Sequence, residues 1–269
     1  LAARGPRFLS HNEMDQVGGP VDLVFANELL DNIPTRILQR TEDGWSELHV
    51  GVDPSEPGML CEVLVPLDPT PMPADVEPDP EAGTPGTGTS GARIPGTRNL
   101  IDWADSVAAG ASVGARIPVQ QQASDWLVRA LRLVRVPGGE LIVIDYCRNT
   151  GELAQLDWTA WLRTYREQQR GGPPLSQPGS QDITCDVALD QLAHFAPTRV
   201  AEPRFNVPQA EWLADLGIGE LVEEGRRIWN ESAAAPDLAA IRARSRISEA
   251  QALTDGSGLG GFRVLAWKL

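Results

Sequence analysis

The chain has 269 residues, 23 Lys and Arg against 37 Asp and Glu, a formal net charge of −14, and 42% hydrophobic residues. That length supports one α/β domain or two small ones with a sizeable buried core, and the hydrophobic share is too high for a disordered chain. No apolar run approaches the ~18 residues of a membrane span, and the acidic balance repels a phosphate backbone, so neither membrane insertion nor nucleic-acid binding is expected.

In chain order, Phe8-Leu9-Ser10-His11 reads as a short strand. Residues 21–26, introduced by Gly18-Gly19-Pro20, read as a stronger one. Residues 36–40 and 45–50 flank Glu42-Asp43-Gly44, and an Asp-Gly pair between two β-like runs predicts a hairpin. Residues 66–96 hold eight prolines among Asp, Glu, Gly, Thr and Ser. Such a composition cannot offset the entropy of ordering it, so an irregular acidic insertion is expected inside a single domain spanning 1–269, with limits at about 66–113. Gly91-Ala92-Arg93-Ile94-Pro95 recurs as Gly114-Ala115-Arg116-Ile117-Pro118, a two-copy repeat that is too short for a solenoid. Trp126, Leu127, Ala130, Leu131 and Val134 are spaced for one apolar helical face. Pro137-Gly138-Gly139 ends that helix, and Leu141-Ile142-Val143-Ile144-Asp145 is the clearest buried strand. Helix, glycine turn and an apolar strand ending in Asp together predict a parallel α/β sheet. Further on, residues 158–170 read as a helix, 187–195 as a short helix and 199–207 as a strand. Residues 209–216 form a helix closed by Gly217, 221–247 a helix interrupted near Pro236, and 262–267 the last strand.

Two glycine-rich motifs are refused. Gly86-Thr87-Gly88-Thr89-Ser90-Gly91 has the G-x-G-x-x-G spelling, but no strand precedes it and Pro95 follows, so it lacks the strand-to-helix context that presents N–H groups to a pyrophosphate. Residues 256–261 precede the last strand and form a turn. Cys61, Cys147 and Cys185 are odd in number and far apart, which argues against a disulfide framework or a metal cluster and for a reducing cytoplasm. No basic-then-apolar leader is read at the start, in keeping with a cytoplasmic protein. Lys268 is the single lysine among 23 basic residues, which suggests a GC-rich bacterial source. The charge of −14 either serves solubility or attracts a cationic substrate, such as an arginine-bearing protein.

The informative segment is Ala26-Asn27-Glu28-Leu29-Leu30-Asp31-Asn32-Ile33-Pro34. Its polar residues stand where a buried strand emits its chain at the carboxyl edge of the sheet, the place where open α/β sheets bind ligands. Alternatively, Asn27 or Glu28 merely caps a following helix.

This segment resembles the strand-four signature of the MidA-type methyltransferases, S-adenosylmethionine-dependent enzymes that include a mitochondrial arginine methyltransferase. Trp45-Ser46-Glu47 is similar to the family's hairpin, Ala115-Arg116-Ile117-Pro118 to the lead-in of its helix, and Ile144-Asp145-Tyr146 to its Asp-Tyr-Gly strand end. Leu162-Arg163-Thr164-Tyr165, Pro178-Gly179, Asp182-Ile183-Thr184, Gln209, Trp212-Leu213, Leu216-Gly217-Ile218 and Phe262-Arg263-Val264-Leu265 follow in the family's order. Cys147, Gln168, Gln169 and Ala188 depart from it. The resemblance implies a Rossmann-like class I sheet, mostly parallel with an antiparallel last strand, in which the first two strands and the glycine-rich cofactor turn have no counterpart here. Residues 21–26 and 141–145 should then be adjacent, parallel and buried, with 262–267 antiparallel near one edge and an apolar edge bare beside 21–26.

The implied function is methyl transfer from S-adenosylmethionine to a protein arginine, by a chain truncated at its amino-terminal side and inactive alone. The resemblance makes Glu28 and Asp31 the catalytic carboxylates. It makes Asn27, Asp145 and Tyr146 the cofactor contacts, and Asp182 and Thr184 the substrate wall. For Asp182-Ile183-Thr184, a helix-capping turn is the alternative. A non-catalytic binding or assembly protein that retains the fold is the rival function. An α/β hydrolase is set aside, because no Gly-x-Ser-x-Gly elbow is present and His11, His49 and His194 have no evident nucleophile partner.

Overall fold

The computed structural model describes residues 14–56, 58–67, 97–167, 169–232 and 234–268. The first elements are β1 (Leu23–Asn27), β2 (Arg36–Thr41), β3 (Gly44–Val52), β4 (Leu60–Pro66), α1 (Thr97–Val107), β5 (Arg116–Val119), α2 (Gln121–Leu133) and β6 (Glu140–Asp145). They are followed by β7 (Cys147–Arg148), α3 (Thr150–Leu153), β8 (Leu162–Arg166), β9 (Gln169–Arg170), β10 (Asp182–Cys185), β11 (Val187–Ala188) and α4 (Leu189–His194). Last come β12 (Phe205–Pro208), α5 (Gln209–Asp215), α6 (Ile218–Ser232), α7 (Leu238–Thr254) and β13 (Arg263–Lys268).

The sheet that carries the site has the order β1-β6-β13-β12. β1 and β6 are adjacent and parallel, with Val24 opposite Leu141 and Asn27 opposite Ile144, as the sequence predicts. β13 runs antiparallel to β6, and β12 antiparallel to β13. The expectation of a mostly parallel sheet is therefore corrected: among the described residues, only the β1–β6 pairing of this sheet is parallel. β12 and β13 pair antiparallel although α5, α6 and α7 lie between them, whereas α2 supplies the helix before β6 that a parallel neighbour needs.

One face of the sheet is covered by α2 and α4. Ala26, Leu141, Val143 and Leu265 pack there on Leu127, Ala130, Val134 and Leu192. Each such leucine contributes on the order of 2 kcal/mol by leaving water. On the other face Ile144, Val264 and Phe262 gather Phe205, Trp212 and Tyr146. β1 lacks this second cover, so the expectation that 21–26 is buried is corrected: Leu23 and Phe25 are more than half exposed and only Ala26 is buried. Among the described residues they lie on the sheet's outer margin, where β1 pairs with β6 alone.

A second, antiparallel sheet has the order β4-β3-β2-β5. The predicted hairpin joins β2 to β3, and Gly44 supplies the positive φ of 132° that closes it. Leu38, Trp45 and Ile117 from this sheet pack against Leu100, Trp103 and Ala104 of α1. The stretch read as an insertion to about residue 113 thus contains a helix that enters the core, because Leu100, Trp103 and Ala104 share one helical face. Residues 68–96, with their G-x-G-x-x-G spelling, and the Phe8–His11 strand lie outside the described residues.

Two local readings are overturned. Residues 158–170 are a short 3-10 turn followed by the β8–β9 hairpin, with Tyr165 opposite Arg170. Pairing of β8 with β10 decides this, since Leu162, Arg163 and Thr164 are all buried against a neighbouring strand. For the same reason Asp182-Ile183-Thr184 is strand, not a capping turn. The strand read over 199–207 is confined to β12. The helix closed by Gly217 (φ 87°) and the break near Pro236 between α6 and α7 stand as read.

Candidate functional site

β1 and β6 end side by side, and the chain leaving β1 turns at once. Glu28 adopts φ 48°, the left-handed region that costs a non-glycine residue about 1 kcal/mol. That turn leads into a 3-10 segment, Leu30–Asn32, whose N-cap is Leu29 without any side-chain cap. Neither Asn27 nor Glu28 caps a helix, and this alternative falls. Asn27 and Glu28 are exposed, and the Asn27 amide donates to the Glu28 carboxylate at 3.2 Å. Strain held at an exposed acidic residue beside a strand end is the kind that persists where function needs it. Substituting Glu28→Gly should raise stability by about 0.5–1 kcal/mol in a urea melt, since glycine adopts this φ freely.

Asp145 ends β6 and is fully buried. Its Oδ2 accepts from the Leu30 and Asp31 backbone N–H groups at 2.9 and 3.3 Å, and its Oδ1 from the Tyr146 N–H at 2.9 Å. Burial raises its pKa to about 7, with the Asp31 charge adding to the effect. With no exposed surface and both oxygens engaged, the Asp145 side chain holds the turn that carries Glu28 and Asp31.

Asp31 is itself buried, at 3% exposure. Its Oδ1 accepts from the Asn32 amide at 2.7 Å. Burial, and then Glu28, push its pKa up to about 6, against the downward pull of Asn32 and Arg163. It lies beneath the surface that Glu28 presents. Tyr146 is half-buried, its ring held between the Phe262 ring, 4.0 Å away, and the Arg163 guanidinium, 4.4 Å away. Burial raises its phenol pKa.

The Leu30–Asn32 turn packs on β10, which brings the predicted substrate wall to the same corner. On β10, Thr184 faces Arg163 of β8 in register. Thr184 is buried and its hydroxyl lacks a hydrogen-bond partner among the described residues, whereas Asp182 is exposed at the far end of the strand.

Sequence reasoning missed the polar core behind this wall. Asp186, at 2% exposure, holds Arg163 at 2.5 Å and Arg148 at 3.0 Å. The Gln120 amide donates to the Asp186 carbonyl at 3.0 Å and accepts from the Ala188 N–H at 2.6 Å. Gln191 in turn accepts from the Gln120 N–H and donates to Thr150. Arg163, in a stretch that reads as a helix, and Asp186, directly after Asp-Ile-Thr-Cys, were the available signals. Alternation within a strand does not reveal that the two meet.

With this geometry in place, comparison with known proteins is decisive. Residues 5–203 match the profile of the family described as "Putative S-adenosyl-L-methionine-dependent methyltransferase". The chain belongs to this methyltransferase family. S-adenosylmethionine is the family's methyl donor. Among curated proteins, the chain is 26% identical over 208 residues to the mitochondrial protein arginine methyltransferase NDUFAF7 of Rattus norvegicus, covering 77% of this chain and 38% of that protein. Among solved structures it superposes on an uncharacterized protein from Burkholderia thailandensis with a TM-score of 0.66 at 20% identity, covering 95% of this chain and 57% of that one. A superfamily member from the same organism, bound to S-adenosyl-homocysteine, gives the same TM-score and identity over 55% of its length. These superpositions show the fold. The chain spans less than two thirds of the length of each of these relatives.

Among the described residues no group of His, Cys, Asp and Glu is placed to hold a metal ion. None of the helices among them is long and apolar enough to cross a membrane.

Proposed function

We propose that this methyltransferase-family chain forms the part of an S-adenosylmethionine-dependent enzyme that receives a protein arginine, at the carboxyl ends of β1 and β6. The observation that carries the reading is the exposed, strained Glu28 held beside Tyr146 by the buried Asp145 latch. The name of the rat relative supports an arginine acceptor, and so does the pairing of Glu28 with Asp31, since carboxylates orient a guanidinium and disperse its charge.

The donor supplies an electrophilic methyl on a sulfonium. The acceptor nitrogen forms the new N–C bond as the C–S bond breaks, and the sulfur leaves as a neutral thioether. What this chain contributes is placement. Glu28 fixes the acceptor nitrogen in line, which is where most of such an acceleration arises. Asp31, with its pKa raised to about 6, adds negative charge under the guanidinium and favours loss of its proton near neutral pH. Asp182 and the partnerless hydroxyl of Thr184 line the approach from β10. Asn27 and Tyr146 are the exposed and half-exposed groups that suit a polar donor. Together they make one wall of a donor site.

The other wall, in this proposal, comes from polypeptide that pairs with the β1 edge left unpaired among the described residues and covers Leu23 and Phe25. An edge strand with a bare apolar face is otherwise a liability. The domain described here is then one incomplete unit. The expected result is a Kd for S-adenosylhomocysteine weaker than about 1 mM for this chain alone, measured by calorimetry. The same chain joined to the part of a Burkholderia relative that it does not cover should bind in the micromolar range and methylate protein arginine, read by mass spectrometry. Micromolar binding by the isolated chain would refute the shared-site reading. Donor binding without transfer in the joined protein would assign the chain to binding or assembly.

A further inference from the structure

A cavity among the described residues lies away from this site. It has a volume of about 390 Å³ and opens between α2, the 198–204 segment and the end of β13. Lys268 stands opposite Glu140, the first residue of β6, whereas the methyltransferase site is at Asp145, its last. Five residues of strand separate the two by roughly 16 Å.

Its rim is cationic in a chain of net charge −14. Arg132, Arg135, Arg199, Arg204 and Lys268 all line it and all are exposed. None of the five forms an ion pair among the described residues. Glu202 is the one acid in the lining. Five unpaired cations on one small opening repel each other, and a bound polyanion would relieve that. The floor has the opposite character. Val128, Leu131, Val200 and Trp267 form it, and the Trp267 indole N–H is already spent on the Ala201 carbonyl at 2.9 Å. A smaller apolar pocket shares the Val200–Trp267 wall and extends toward Leu127, Leu192 and Leu265.

We propose that this cleft binds a nucleoside diphosphate or a small molecule of the same design, with phosphates on the arginine rim and a flat apolar body on the Trp267–Val200 floor. Guanidinium forks match phosphate oxygens in pairs, which a lone ammonium cannot do. The volume lies in the range of pockets that enclose small ligands.

The test is calorimetric titration of the intact chain with ADP, against pyrophosphate as the charge without the body and adenosine as the body without the charge. ADP should bind with a Kd of about 10–100 µM, pyrophosphate and adenosine at least about tenfold more weakly. Raising salt from low to about 0.3 M should weaken ADP binding. The double variant Arg132→Ala/Arg199→Ala should weaken it at least about tenfold with an unchanged thermal midpoint. If that variant fails to fold, Lys268→Gln at the chain's end should still cost about threefold. Excess S-adenosylhomocysteine should leave the ADP titration unchanged, which separates this cleft from the methyl-donor site. No saturable ADP binding at millimolar concentration, equal affinity for pyrophosphate, displacement by S-adenosylhomocysteine, or indifference to the arginine variants would each overturn the proposal. Tighter binding of a single-stranded oligonucleotide than of ADP would overturn it in favour of a nucleic-acid surface.

Discussion

Asp145→Ala should destabilise the chain by roughly 3 kcal/mol in urea unfolding at pH 6. The substitution leaves the buried backbone N–H groups of Leu30, Asp31 and Tyr146 without their acceptor. Each orphaned donor costs about 1–3 kcal/mol, and losing a carboxyl that is itself poorly solvated offsets part of the sum. Asp145→Asn should cost less, because the amide oxygen still accepts for the Leu30–Asp31 pair. The pH dependence has a definite sign. Asp31 and Asp145 titrate at about 6 and about 7 in the folded chain, above their ordinary 3.8. The folded state therefore holds these protons more tightly than the unfolded chain does. Their stabilising contribution is complete below about pH 4 and is lost as pH rises through 6 to 7. Wild-type stability should decline over that interval, and the decline should be shallower in Asp145→Asn. A flat profile in the wild type would show that the latch is not buried as described.

Glu28→Gln, in a protein whose donor site is complete, should lower turnover by at least about 100-fold while donor affinity stays within a few-fold. Glu28 is exposed and takes part in no helix cap; its backbone is held by Ile144 and Asn32, and among the described residues its carboxylate accepts from the Asn27 amide alone. Removing its charge therefore leaves the fold intact, and the thermal midpoint should shift by less than about 1 °C per tenth of a kcal/mol lost. An interaction made to the acceptor in the transition state, and not to the donor, reduces kcat without raising the donor Kd. Turnover, donor affinity and midpoint measured on this one variant separate the roles. Unchanged turnover would remove Glu28 from the catalytic proposal. A fall in donor affinity alongside turnover would make it a donor contact.

The strand ends were legible in the sequence because they depend on local chemistry. An apolar β-rich run followed at once by Asn27, Glu28 and Asp31 marks the end of a strand. The run from Leu141 to Ile144 ending in Asp145 marks a second such place. The same holds for the hairpin at Gly44 and the helix stop at Gly217, each set by a backbone conformation that glycine adopts without strain. The resemblance to the MidA-type family, resting on motifs in one order, was matched by the family assignment over residues 5–203.

Tertiary structure alone decided the rest, because burial and pairing are not properties of a segment. Asp145 and Asn27 look alike in sequence as polar residues closing strands, yet one is sealed under the Leu30–Asn32 turn and the other faces water. Residues 162–166 have the composition of either a helix or a strand, and pairing with β10 selected the strand. The Arg163–Asp186 contact joins groups 23 positions apart that only the β8–β10 ladder brings together, and the reverse sense of β13 shows only in its pairing with β6 and β12. Local chemistry determined where the chain turns and which residues could serve the site. Long-range pairing determined which of them remain accessible to a substrate and which hold the others in place.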